Sequence, residues 1–241
     1  MIIKVPFGSG SLGKNEGCSK APELIAEGKK SILVDAEKNN FKNTHNKIEE
    51  AVSGEENAVI LGGDHSITYS SFKASGCDSL VILDAHPDVM AGTEMVSHED
   101  FVSKLIEENS LLPENLVIIG LRNWDPSEME FLKEKNISFV TMEKIRKDSF
   151  DSFIDELPLI LKNMKKAYFS VDIDVADPEV APGTGYPEKG GLSADETLIL
   201  VRRIKEMLNP SFSDIVEINP EFDVDGKTIS LGKQVLEILD R

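Results

Sequence analysis

Short runs of Val, Ile and Leu alternate along this chain with longer amphipathic stretches, and that rhythm is its strongest constraint on the fold. The apolar runs are Ile2–Val5, Ser31–Val34, Ala58–Leu61, Ser79–Asp84, Leu116–Gly120, Ile137–Val140, Ala167–Asp172 and Asp214–Ile218. They are mostly apolar throughout rather than alternating, the pattern of strands covered on both faces. Between them, Phe41–Val52, His98–Asn109, Pro126–Lys135, Ser149–Lys166, Ala194–Leu208 and Gly232–Leu239 carry helical spacing. Ser193 and Glu196 form a capping box for the helix they precede. A β-then-α order predicts an α/β fold with helices on both faces of a mainly parallel sheet of about eight strands, a three-layer α/β/α arrangement. No Ser/Gly linker, charge block or repeat interrupts residues 1–241, so a single domain is expected.

Composition narrows the function. Lys plus Arg number 26 against 43 Asp plus Glu, a formal net charge of −17. Nucleic acid and anionic membranes need a basic surface, so neither is an expected partner. The surplus of acid reads first as a solvated surface, and second as carboxylates gathered around cations. The start Met1-Ile2-Ile3-Lys4-Val5-Pro6 is too short an apolar run for a signal peptide, and no stretch reaches membrane-spanning length. Cys18 and Cys77 stand far apart, which predicts neither a disulfide framework nor a thiolate zinc site, and a reducing cytoplasm is the expected location. Gly8-Ser9-Gly10 lacks the rest of a phosphate loop, and no Gly-x-Ser-x-Gly elbow occurs.

Open parallel sheets bind ligands beyond the C-terminal ends of their strands. Three such ends carry unusual chemistry: Gly62-Gly63-Asp64-His65-Ser66, Asp84-Ala85-His86-Pro87-Asp88 and Ser170-Val171-Asp172-Ile173-Asp174. In an extended segment a spacing of two places Asp84, His86 and Asp88 on one side, and Asp172 and Asp174 likewise. Carboxylate plus imidazole suits a divalent ion such as Mn²⁺, Fe²⁺ or Zn²⁺. A polar strand exit, with one Asp capping a helix and the others facing water, is the competing reading of each piece. His65 adds a second imidazole, the Gly62-Gly63 pair allows a sharp turn, and Asp64 is placed to order the loop. Asp177, before Pro178, reads as a turn residue. Two His and four Asp suffice for two metals sharing carboxylates, which would lower the pKa of a bridging water and yield hydroxide near neutral pH.

At these residues the chain resembles the ureohydrolase family, whose members include arginases, agmatinases and formimidoylglutamases. The three segments, the third running on to Pro178, match its signatures in order and interval, and Gly17-Cys18-Ser19-Lys20-Ala21-Pro22-Glu23-Leu24-Ile25 is similar to its N-terminal segment. The resemblance implies two Mn²⁺ per chain and hydrolysis of a guanidinium or amidine group by metal-bridging hydroxide. By matching position, His65, Asp84, Asp88 and Asp172 would bind one ion and Asp84, His86, Asp172 and Asp174 the other. Asp88 could also orient the hydroxide. His98 sits where the family places a proton-shuttling histidine, although Glu99 replaces a common Gly. Glu217, in Val216-Glu217-Ile218-Asn219-Pro220, matches the carboxylate that pairs with the guanidinium.

For substrate choice, Ala181–Leu192, which contains Thr184, looks more like agmatinases, and Tyr186 replaces a Thr usual in the family. Gly120–Glu128 looks like the arginase segment whose Asp, here Asp125, contacts the substrate amino group, while an Asp before Pro is equally a turn residue. The segment between Asp88 and His98 is short and lacks the Asn and Ser pattern of arginases. The resulting expectation is agmatine hydrolysis to putrescine and urea, with arginine and formimidoylglutamate as alternatives within the class. The substrate is then a small cationic guanidino compound, and the resemblance implies a homo-oligomer, trimer or hexamer. A dinuclear metallophosphoesterase is the alternative enzyme class, but its Asn-His-Asp/Glu motif is absent, and Asn43-Thr44-His45 reads as helix surface. A non-catalytic metal-binding relative is the remaining alternative, kept open by Glu99 and the shortened loops.

Overall fold

The structure, a computed structural model, describes residues 1–92 and 95–241. Its centre is an eight-stranded, all-parallel sheet. The strands are β1 (Ile2–Lys4), β2 (Ser31–Leu33), β3 (Ala58–Leu61), β4 (Ser79–Leu83), β5 (Leu116–Leu121), β6 (Ser138–Thr141), β7 (Ala167–Asp172) and β8 (Phe212–Val216). Across the sheet they run β2-β1-β3-β8-β7-β4-β5-β6. Each expected run is a strand, with ends displaced by a residue or two. The helices are α1 (Ala21–Ile25), α2 (Phe41–Ser53), α3 (Ile67–Ser75), α4 (Phe101–Glu107), α5 (Pro126–Glu134), α6 (Met142–Asp148), α7 (Phe150–Ile160), α8 (Ala194–Leu208) and α9 (Lys227–Leu239).

The strands explain why their sequences do not alternate. In β4, Val81 and Leu83 join a core with α7, α8 and α9, whereas Leu80 and Ile82 join a second core with α2, α3 and α4. Both strand faces are dry, so polar residues at either parity would be left without water. The three layers follow from this.

Several helix readings need correction. The long pattern expected over 149–166 stops at Ile160, even though Pro158 lies within that helix, and a separate α6 precedes it with Thr141 as its cap. The pattern expected from His98 starts only at Phe101, and α9 begins earlier than Gly232. Helix α3, not anticipated, is rich in Ser and Thr, with Thr68, Ser70 and Ser71 all buried. His45 is not helix surface: it is buried, its ring set edge-on to Phe7 and Tyr69 and its Nδ1 2.7 Å from Ser70 Oγ. Among the described residues, no helix is long and apolar enough to cross a membrane.

Candidate metal centre and substrate cavity

Of the four central strands, β3, β4 and β7 deliver the residues of the candidate metal centre just past their C-terminal ends, and β8 delivers Glu217. After β3 the chain turns through Gly62–Ser66 into α3. Neither glycine there has a positive φ; the need is for space, because a Cβ on Gly63 would lie 1.8 Å from the Phe7 carbonyl oxygen. Asp64 does order the loop, its Oδ1 accepting the Ser66 amide at 3.0 Å and the Ser66 hydroxyl. His65 is thereby sunk beneath the surface, with no exposure.

Asp84, His86 and Asp88 converge, but not through the pleat of an extended strand. β4 ends at Leu83, Asp84 Oδ1 accepts the His86 amide at 2.6 Å, and Asp88 sits in the left-handed region at φ 55°. A tight turn replaces the alternation. Asp172 behaves likewise: its Oδ1 accepts the Asp174 amide at 2.8 Å and caps a 3₁₀ turn over Ile173–Val175. A side chain that bonds the backbone two residues on explains the recurring spacing of two.

His65 Nδ1 faces three carboxylate oxygens: Asp84 Oδ2 at 3.1 Å, Asp88 Oδ2 at 3.0 Å and Asp172 Oδ2 at 3.3 Å. Among the described residues, neither this nitrogen nor Asp84 Oδ2 has a hydrogen-bond partner, although both are buried. Beside them, His86 Nδ1 lies 2.9 Å from Asp174 Oδ2 and 3.7 Å from Asp84 Oδ1. Two triads result, His65–Asp84–Asp172 and Asp84–His86–Asp174, sharing Asp84. Burial pushes the Asp88 carboxyl up to about 7, and the charge of Asp84 adds to it. Burial and neighbouring carboxylates raise Asp172 and Asp174 as well. Burial also opposes ionisation of Asp84, but His65 and His86 outweigh it and hold the group below its usual range. Orphaned buried donor atoms and mutually repelling carboxylates are what divalent cations would relieve, and oxygen with imidazole nitrogen is a suitable ligand set. The residues fit the group.

A cavity of about 240 Å³ reaches this cluster. Glu217, 3% exposed and held at φ 63°, lines it. Its Oε1 accepts the His65 amide at 2.7 Å and its Oε2 accepts Asn15 Nδ2 at 2.5 Å. Burial resists its charge, but His98 and Asn15 prevail and its pKa is lowered. His98 is a buried wall residue, with Nδ1 3.5 Å from Glu217 Oε1 and Nε2 lacking a hydrogen-bond partner among the described residues. Burial works against its imidazolium, but Glu217 lifts the pKa to about 9.

Thr184 and Asp125 also line the cavity. Asp125 lines the cavity and also caps α5 in a capping box with Glu128. Tyr186 packs against His98, with ring centres 5.1 Å apart, and its hydroxyl lies 3.4 Å from Glu99 Oε1. The two departures from the family pattern therefore meet in space. Thr93 and Glu94, within the short segment between Asp88 and His98, lie outside the described residues. Asp177 is a turn residue, accepting the amides of Glu179, Gly190 and Gly191.

Sequence reasoning missed Asn15, which reaches Glu217 from the far end of the chain and carried no motif. It also missed Arg122, whose guanidinium is occupied by the carbonyls of Gly120, Asp174, Ala176 and Glu188. Glu128 was legible: Asp125-x-x-Glu128 before a helical pattern is a capping signature.

Comparison with known proteins agrees with this geometry. A protein-family model described as "Arginase family" matches residues 21–239. A guanidinopropionase of Pseudomonas aeruginosa is 33% identical over 186 residues, covering 74% of this chain and 58% of that protein. An arginase of Bacillus subtilis is 29% identical over 213 residues, covering 80% of this chain and 71% of that protein. The chain thus spans 58% and 71% of the lengths of these relatives. Among solved structures, formimidoylglutamase from Bacillus subtilis superposes with a TM-score of 0.90 at 25% identity, over 99% of this chain and 84% of that one. The agmatine ureohydrolase of Thermoplasma volcanium gives 0.84 at 25% identity, over 99% and 87%.

Proposed function

The chain belongs to the arginase family, and from that premise we propose that it is a binuclear manganese hydrolase converting agmatine to putrescine and urea. The observation that carries the substrate is the charge around the cavity. Glu99, Asp125, Glu128 and Glu217 line it, and none of its described lining residues is a lysine or an arginine. Agmatine is cationic at both ends, whereas arginine and formimidoylglutamate bring carboxylates, for which no lysine or arginine stands among the described lining residues. The net charge of −17 would also favour the approach of a cation.

In this reading His65, Asp84, Asp88 and Asp172 hold one ion and Asp84, His86, Asp172 and Asp174 the other, and the pair supplies Lewis-acid activation of water. Glu217 accepts the guanidinium N–H groups; its Oε2, which accepts from Asn15, retains a second lone pair for them. Asp88 orients the attacking water. As the carbon–nitrogen bond breaks, His98 gives the departing amine its proton. Thr184 bounds the pocket that receives the substrate. The same reading takes residues 1–241 as one domain, acting in the cytoplasm as a trimer or hexamer.

Arginine is the second reading, favoured by Asp125, which lines the cavity as the amino-group contact would require. Urea release from agmatine, arginine, guanidinopropionate and formimidoylglutamate, measured with Mn²⁺, separates the two. Agmatine is expected to show the highest kcat/KM, by about tenfold or more, one unpaired buried charge being worth at least 1.4 kcal/mol. Preference for arginine would install the second reading, and no hydrolysis of any of them would overturn both.

A further inference from the structure

Apart from Glu217 and the metal-ligand candidates, three carboxylates line the cavity, and they differ in what they have left to offer a ligand. Glu128 is spent: its Oε1 accepts the Val89 amide at 3.3 Å and its Oε2 the Asp125 amide at 2.9 Å. Asp125 is exposed, so water screens an ion pair there, and its Oδ1 already accepts the amide and the hydroxyl of Ser127. Glu99 differs from both. Its side chain is 35% exposed, and among the described residues its carboxylate accepts one hydrogen bond, from the Tyr186 hydroxyl at 3.4 Å. The rest of its lone pairs face water that a ligand can displace.

Position singles Glu99 out as well. Its Oε1 lies 3.7 Å from His98 Nε2, while Glu217 Oε1 lies 3.5 Å from His98 Nδ1. One imidazole thus stands between two carboxylates, and a four-carbon chain can span a ring and two such contacts. Tyr186 walls this side of the cavity, its ring centre 5.1 Å from that of His98 and 6.0 Å from that of His86. Lys14, which does not line the cavity, sets its Nζ 4.8 Å from the centre of the same ring. A guanidinium held by Glu217 would lay its alkyl chain along His98 and Tyr186, with the nitrogen of the departing amine beside His98. We infer that Glu99 is a specificity-determining residue that receives the ammonium at the far end of the substrate, and that Tyr186 is a positioning residue that aims the Glu99 carboxylate. The substrate class this wall suits is an unbranched guanidine with a second cation at the end of a short chain. The inference rests on the guanidine-hydrolase reading and adds to it the residue that reads the tail.

The test measures urea release by the full chain with Mn²⁺ from agmatine and from butylguanidine, which has the same chain and guanidinium but no ammonium. In Glu99→Gln, KM for agmatine is expected to rise about tenfold with kcat held within about twofold, while butylguanidine keeps its wild-type kinetics. Tyr186→Phe removes the hydroxyl alone and should raise KM for agmatine about threefold, again sparing butylguanidine. A merely structural role would not produce that split between substrates. Glu99→Lys reverses the charge and should exchange the preference for agmatine for one for 4-guanidinobutyrate; should it not fold, the isosteric Glu99→Gln decides. Equal losses of kcat on both substrates in Glu99→Gln would mean that Glu99 serves His98, and would overturn the inference. An unchanged KM for agmatine, or a folded Glu99→Lys that still prefers agmatine, would overturn it too. Arginine hydrolysed faster than agmatine, with KM for agmatine still dependent on Glu99, would overturn the agmatine reading and support the contact. Release of urea from none of these compounds by the wild type would overturn both.

Discussion

Asp172 and Asp174 on the cavity floor, and His65 and Asp84 packed behind them, are buried, whereas Asn123, Trp124 and Asp125 at its rim are exposed and Glu99 and Tyr186 half-buried. The floor residues and those behind them sit at or just past the ends of β3, β4 and β7. Rim residues belong to the connections that follow them. Behind the floor, polar atoms such as His65 Nδ1 and Asp84 Oδ2 are left without hydrogen-bond partners among the described residues, an arrangement that is costly unless a ligand completes it. At the rim such costs are absent: Asp125 accepts from Ser127, and Asn123 donates to Glu188 Oε1 at 2.6 Å. The floor is left with polar demands that a ligand would complete, and the rim has met its own.

That contrast can be broken experimentally. The largest effect belongs to the floor. Asp172→Ala should cut urea release about a thousandfold or more, since metal-ion catalysis contributes several kcal/mol. Metal content should fall with it, while the stability of the cation-free chain holds or rises because one buried, repelled carboxylate is gone. A variant with full activity would remove Asp172 from the centre.

The next test asks whether burial alone, rather than its carboxylates, makes the floor distinctive. His45 is as buried as a floor residue but surrounded by aromatic rings, and burial pushes its pKa down to about 4. For a histidine whose folded pKa lies below its unfolded value, stability is present above about pH 6.5 and is lost as the pH falls toward 4. The loss at full protonation is on the order of 3 kcal/mol. Unfolding measured at pH 7 and pH 4.5 should show a smaller acid loss in His45→Gln than in the wild type. Equal losses would mean that His45 is not held neutral. His65, by contrast, has its pKa raised well above the usual range, because nearby carboxylates overcome the same burial.

The smallest effect is expected at the rim. Asp125→Ala should cost about 1 kcal/mol of stability through the lost helix cap. Any change in kcat/KM should stay within about tenfold and should alter the preference between agmatine and arginine. A loss approaching that of Asp172→Ala would erase the distinction between floor and rim.

Much of this was readable before the fold was known. Nonalternating apolar runs identified the strands, and their covering by two helix layers followed, because a strand without a polar face has no side to give to water. The types and spacing of Asp84, His86, Asp88, Asp172 and Asp174 announced a cation site, although the spacing works through turns closed by aspartate side chains and not through strand alternation. His98 and Glu217 were singled out by resemblance alone.

What only the tertiary structure decided is which strands are neighbours. β4 pairs with β7, and β3 with β8, across long stretches of intervening chain. Nothing in the hydrophobic period of a strand identifies its partner, because the backbone bonds that join strands are the same for every sequence. The order β3-β8-β7-β4 brings Asp84 to Asp172, Ser170 to Asp214 and, through Glu217, Asn15 to the cavity. Burial of His45 is decided in the same way, by aromatic rings and a serine hydroxyl from outside its own helix. Local sequence determined the elements and the chemistry at their ends; long-range pairing alone determined which ends meet.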